Sequence, residues 1–197
     1  MTEFREVLRR RRMVRNYLDQ PVDPNALERI VEAGTRAPSA GYTQGQSFVI
    51  VTDPERRGRI AELAGEPEYV ARGFDPWISR APVHIAVCVS EAAYHARYRE
   101  PDKLDADGNE IEWPIPYWWV DAGASLMAIL LAAVDEGVAA GFLGVQSFDG
   151  LAEFLELPDT VTPIGIVTIG HPARDRRSGS LDRGPRTDSV HRERWGG

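Results

Sequence analysis

The run "VDAGASLMAILLAAV", residues 120–134, narrows the possible folds more than any other part of this 197-residue chain. A surface helix keeps a polar face, whereas here apolar or small residues fill nearly every position. Extended to residues 116–136, the segment reads as one long central helix, covered by a sheet or by a second subunit. The apolar run is too short to cross a bilayer, which takes about 20 such residues, and it contains Asp121.

A helix of this kind needs layers to pack on. Apolar segments "SFVIVT" (47–52), "PVHIAVCVS" (82–90), "VAAGFLGV" (138–145) and "VTPIGIVTIG" (161–170) predict strands, the second apolar enough to be buried on both faces. A short helix around "GLAEFLEL" lies between the last two. Residues 3–12 predict a helix with Thr2 as N-cap and Phe4, Val7 and Leu8 on one face. Asp23-Pro24 and Asp53-Pro54 each open a further helix, a capping side chain preceding a proline at the first helical position. Leu27, Ile30, Val31 and Gly34 recur at helical spacing in the first of these, and Gly65 ends the second. The mixture predicts a single α+β domain over residues 1–197, with a helical dimer interface. Residues 91–116 break the pattern with acidic residues, a "DADGNE" turn and several aromatics, and read as an excursion or lid. Residues 173–197 read as an extended tail.

The net charge of -7 argues against a broad basic face, so neither nucleic acid nor a membrane surface is an expected partner. Cys88 is the only cysteine; it cannot form an intrachain disulfide and should pack as a small hydrophobe. No charged segment followed by an apolar one opens the chain, and a cytoplasmic location is expected.

Against that acidic background stands "RRRRMVRNY", residues 9–17. Positive charge at a helix C-terminus gains about 0.3–1 kcal/mol per group from the macrodipole, which accounts for one or two arginines but not five. The planar guanidinium suits bidentate phosphate binding, and two or three of them hold a dianion without a glycine loop. Other routes to chemistry are missing. The four histidines show no metal-ligand spacing, and no G-x-S-x-G elbow, G-x-G-x-x-G fingerprint or P-loop occurs, so no metal site is expected. The loop "APSAGYTQG", residues 37–45, is small and turn-forming. Its backbone amides can approach a flat ligand closely, with Tyr42 and Gln44 at the edge.

Taken in order, "RRMVRNY", "APSAGYTQ", "DAGASLMAILLAAVDEGV", "FLGVQSFD", "LELPDTVTPIGIVTIGHP" and "DRGPRTDSVHRERW" resemble the nitroreductase family of flavin-dependent oxidoreductases. The resemblance implies a three-layer α/β/α domain with a central mixed, mostly antiparallel sheet. It also implies an intertwined homodimer that binds FMN at its interface and carries electrons from NAD(P)H to a nitroaromatic, quinone or other small aromatic acceptor. Carried over by motif, Arg11 and Arg12 reach the phosphate and ribityl end, with Met13 beside them where many members have serine. Arg15 sits by the pyrimidine edge, where reduced flavin carries negative charge that a guanidinium stabilises. Arg183, in "RGP" with Pro185, provides a second phosphate clamp, assisted by Arg186.

By the same resemblance Gly144, Val145, Gln146 and Ser147 lie along the isoalloxazine, with a backbone N–H of Gln146 or Ser147 donating to N5. Pro38, Ser39 and Ala40 come from the partner subunit, and Gln44 contacts the flavin or buttresses the loop. No catalytic side chain is needed, because the flavin carries the chemistry. Departures from the family pattern are Met13, Tyr42 in place of asparagine, Gly45-Gln46 in place of Pro-Trp, Leu181 in place of lysine, and Phe74 and Trp77 in place of polar flavin contacts. Substrate contacts are expected from Tyr42, Trp77, Lys103 (the only lysine), Tyr117, Trp118 and Trp119, the paired tryptophans reading equally as core packing. Alternatives are a protein that binds or sequesters flavin or deazaflavin without turnover, a relative that converts reduced flavin and oxygen to dimethylbenzimidazole, and a reductive dehalogenase gripping an amino-acid zwitterion with Glu91, Tyr94 and Lys103.

Overall fold

The two Asp-Pro pairs start helices as their chemistry requires. In the computed structural model, which describes residues 3–174, 179–184 and 186–196, Asp23 accepts from the Asn25 backbone N–H at 3.0 Å and Asp53 from that of Arg56 at 2.9 Å. They open α2 (Pro24–Thr35) and α3 (Pro54–Leu63). Before them, α1 (Phe4–Arg10) ends two residues earlier than the arginine run suggests, because Arg11 turns extended at ψ 121°. Thr2, the expected cap, lies outside the described residues. Two short helices had no expectation behind them: α4 (Glu66–Ala71), begun by left-handed Gly65, and α5 (Glu91–Tyr98), capped by Ser90. The second occupies the first eight residues of the excursion.

Strands β1 (Gln46–Val51), β2 (Val83–Val89), β3 (Ala139–Gly144) and β4 (Thr162–Gly170) form one sheet in the order β1-β2-β4-β3. All three strand pairings are antiparallel. The parallel pairing of the expected mixed sheet is confined, among the described residues, to an isolated bridge between Met13 and Ala140. Every residue of β2 is buried, because both faces are covered. Ala86 and Cys88 pack toward α3 and α7 (Leu151–Phe154), whereas Val83, Ile85 and Val87 pack toward α2 and the long helix α6 (Tyr117–Asp135). This is the three-layer α/β/α arrangement. Gly34 lets α2 approach α6, since a Cβ there would lie 2.8 Å from Cγ1 of Ile129.

The full α6 has 19 residues and is long and apolar enough to cross a membrane by length and composition, which corrects the expectation drawn from its apolar run alone. Its packing is that of a core helix. One face, including Trp118, Ala122, Ile129 and Ala133, is buried, whereas Trp119, Val120 and Met127 remain exposed next to the exposed Phe4 and Leu8 of α1. The near-continuous apolar character of α6 thus serves one face turned inward and a second turned out.

Candidate functional site

The arginine run divides where α1 ends. Arg9 is spent on Glu6, a bidentate pair at 2.9 and 2.8 Å that lowers the carboxyl pKa through its hydrogen bonds. Past the helix, the chain docks on the outer edge of β3, with the Val14 N–H donating to the Ala140 carbonyl at 3.0 Å. Only glycine at 141 permits this, because a Cβ would stand 2.4 Å from the Val14 carbonyl oxygen. Buried Tyr17 pins the segment from below, its hydroxyl 3.0 Å from the Val14 carbonyl and 2.8 Å from Oγ1 of Thr168. No hydrogen bond or ion pair ties the guanidiniums of Arg11 and Arg12 to other described residues. Met13 beside them is exposed.

Arg15 lies 5.9 Å over the Trp77 ring. Both line a cavity of about 350 Å³ with Tyr69, Ile78 and Leu143. The floor is held by buried Glu66, whose carboxylate accepts from the backbone N–H groups of Trp77 (2.7 Å), Ile78 (2.6 Å) and Ser79 (3.1 Å). His84 braces the same segment, its Nε2 2.7 Å from the Ile78 carbonyl. Burial pushes its pKa down to about 4 and pushes the Cys88 thiol up to about 12, so both are neutral and Cys88 is inert.

A second constellation lies at the start of β1. Residues 38–45 fold back on themselves, with the Gln44 N–H donating to Ser39 Oγ at 2.8 Å and Thr43 Oγ1 to the Ala40 carbonyl at 2.6 Å. The Ala40 N–H donates to Asp121 of α6 at 2.8 Å, and the Gly41 carbonyl accepts from Nε of Arg97 at 3.0 Å. Gly41, Tyr42 and Gln44 are left-handed, at φ 62°, 56° and 53°. Tyr42 is 77% exposed.

These two constellations sit on opposite edges of the sheet. Four strand-to-strand steps of about 4.8 Å each separate the Met13 segment from β1, about 19 Å in all. The residues 144–147, by contrast, leave β3 at the same end of the sheet at which β1 begins, and Gln146 and Ser147 are exposed. Within one chain, therefore, Arg11, Arg12 and Arg15 do not meet Pro38, Ser39, Ala40 or Gln44. In the tail, exposed Arg183 ends a turn, Gly179–Arg183, and Arg186 pairs with Asp188 at 3.0 Å. Pro185 lies outside the described residues.

The expected substrate contacts are also divided. Trp77 belongs with Arg15 on one face of the sheet. Trp118 is buried in an aromatic cluster with Tyr94 and Trp113, while Tyr117 and Trp119 are exposed on α6. Nζ of Lys103 lies 5.8 Å over the Tyr98 ring. Sequence reasoning missed Gly141, Tyr17, Glu66 and Asp121 as organising residues. A glycine inside a strand and a carboxylate inside an apolar helix were the available signals.

A model of the Nitroreductase family matches residues 8–171. An FMN reductase [NAD(P)H] from Bacillus subtilis is 33% identical over 99% of this chain and 75% of its own length. An Archaeoglobus fulgidus protein described as a putative NADH dehydrogenase/NAD(P)H nitroreductase is 28% identical over 99% of this chain and all of its own length. Among solved structures, the hypothetical oxidoreductase YcnD from Bacillus subtilis is 29% identical at a TM-score of 0.75, covering 99% of this chain and 75% of that one.

Proposed function

The chain belongs to the nitroreductase family and is an NAD(P)H-dependent oxidoreductase, and on that premise we propose that it binds FMN between two copies of itself and delivers electrons to a small aromatic acceptor such as a nitroaromatic or quinone. The observation that carries this reading is that the two sets of residues expected to hold flavin lie at opposite edges of one sheet. A single site that uses both sets needs two chains. The outward faces of α1 and α6 offer what a second copy would cover: Phe4, Leu8, Trp119, Val120 and Met127 are all exposed, and burying a large apolar side chain gains about 1.5–3 kcal/mol.

The residues present fit the cofactor. Arg11 and Arg12, which pair with no other described residue, would offer bidentate donors to a phosphate, reinforced by Arg183 and by Arg186 once it leaves Asp188. Arg15, seated over Trp77, would meet the pyrimidine edge and favour the reduced, negatively charged form. The segment of Gly144, Val145, Gln146 and Ser147 leaves backbone at the sheet end to face the ring. Pro38, Ser39, Ala40 and Gln44 of the second copy would close the other side. When bound, FMN supplies the hydride-accepting and electron-donating chemistry, and the protein contributes binding, orientation and charge. Exposed Tyr42, Tyr117 and Trp119 and Lys103 are the groups that would contact the acceptor, whereas buried Trp118 packs with Tyr94 and Trp113.

Purified protein should be yellow. Its flavin should bleach anaerobically with NADPH or NADH and regain colour when a nitroaromatic or quinone is added. Flavin that stays oxidised with every nicotinamide donor would support the sequestering alternative instead.

A further inference from the structure

Asp121 is the one charged side chain that α6 carries into the core, at 7% exposure. A buried carboxylate costs several kcal/mol unless hydrogen bonds hold it. Its Oδ2 accepts from two sides, the Ala40 N–H and the Tyr94 hydroxyl, each at 2.8 Å. Tyr94 is fully buried in α5. Burial, and then the carboxylate it bonds, raise its pKa and keep the phenol a donor.

We propose that Asp121 and Tyr94 are positioning residues for the cofactor: they hold the loop of residues 38–44 in the shape that meets the flavin, and so make the 91–116 excursion a brace of that site. The inference rests on the flavin reading above. Its structural ground is the strain of the loop. Left-handed backbone at Tyr42 and Gln44 is strained for residues with a side chain and persists only where the surroundings over-determine it. Those surroundings are one face of α5, because Tyr94, Arg97 and Tyr98 follow the i, i+3, i+4 spacing that places side chains together.

Each of the three reaches the loop. Tyr94 holds Ala40 through Asp121, and Arg97 donates to the Gly41 carbonyl. The rings of Tyr98 and Tyr94 press on the loop so closely that a Cβ at Gly41 or Gly45 would stand 2.7 or 2.6 Å from them. That contact accounts for both glycines of "AGYTQG". The brace is itself anchored. Arg97 forms a bidentate pair with Asp102 at 2.7 Å for both bonds, and Trp113 packs on Tyr98 with centroids 4.5 Å apart.

The test uses the full chain freed of cofactor and titrated with FMN, together with visible circular dichroism of the bound flavin and thermal unfolding of the apoprotein. Tyr94→Phe keeps the ring and removes the donor. Asp121→Asn keeps the shape but cannot accept both bonds at full strength. Each should weaken FMN binding by about tenfold, the worth of one hydrogen bond to a charged group, and should alter the flavin dichroism. As a control, Glu136→Gln loosens the Arg29–Glu136 pair at the other end of α6 and should leave FMN affinity unchanged. Normal affinity and dichroism in Tyr94→Phe, or equal weakening by Glu136→Gln, would overturn the positioning role. Failure of the unaltered protein to bind FMN is a different result, and it overturns the flavin reading itself.

Discussion

At the β1 edge, the loop of residues 38–45 is held by five protein groups: Ser39, Asp121, Tyr94, Arg97 and Tyr98. At the β3 edge the backbone of residues 13–17 is seated as firmly, by Gly141 and Tyr17, but among the described residues no ion pair or hydrogen bond engages the guanidiniums of half-buried Arg11 and exposed Arg12. One edge brings a finished shape and the other brings charge that a ligand must organise. Such a pair suits a ligand with a rigid flat end and a charged flexible end.

The largest effect should come from unseating the charged edge. In Gly141→Ala the new methyl would meet a backbone oxygen at 2.4 Å and the Trp77 ring at 2.9 Å, neither of which can swing aside. Denaturant unfolding should show a loss of about 3 kcal/mol, the upper end of the usual range for an overpacked core, and FMN binding should fall with it.

Acid should loosen the same edge, through His84 under the residue 77–79 segment. Its folded-state pKa, about 4, lies below the ordinary 6.5, so its contribution is intact above pH 6.5. It is lost as pH falls toward 4, because the unfolded chain takes up the proton first. At about 1.4 kcal/mol per pH unit, the loss approaches about 3 kcal/mol. Denaturant unfolding at pH 7 and pH 4.5 should show a smaller difference in His84→Gln than in the unaltered chain.

Removing the charge alone should separate binding from stability. The double variant Arg11→Ala/Arg12→Ala should weaken FMN by about a hundredfold, two charge-assisted bonds' worth. Its apoprotein stability should stay within about 0.5 kcal/mol, as for surface positions away from packed or paired features, Arg12 being exposed and Arg11 half-buried. Smallest of all is Arg9→Ala. It breaks a solvent-screened pair with Glu6 that adds little to stability and should leave both the unfolding midpoint and FMN binding unchanged, which would place the boundary between structural and ligand-binding arginines at the end of α1.

Much of the fold was legible because local chemistry decides it. The Asp-Pro caps, the apolar strands and the α6 run each carry their own signal. Helix α4 was not legible, since "EPEYVA" is short and mostly charged or small and starts at a left-handed glycine rather than a capping side chain. Helix α5 was hidden by the aromatic and charged residues that make the excursion look irregular, although Ser90 was an available cap. The site was readable as segments but not as an arrangement. That Ala40 depends on Asp121, 81 residues away, follows from tertiary packing, which leaves no spacing in the sequence.

The central claim is that each flavin site takes its arginines from one chain and its loop from the other. It is tested by a mixed dimer in which one chain carries Arg11→Ala/Arg12→Ala and the other carries Pro38→Trp, an exposed position where a large ring would fill the flavin seat. Each altered homodimer should bind FMN weakly. In the mixed dimer one site collects both defects and the other collects none, so tight binding of one FMN per dimer should return. If the mixed dimer binds as weakly as its parents, both sets of residues act within one chain and the two-edged site is wrong.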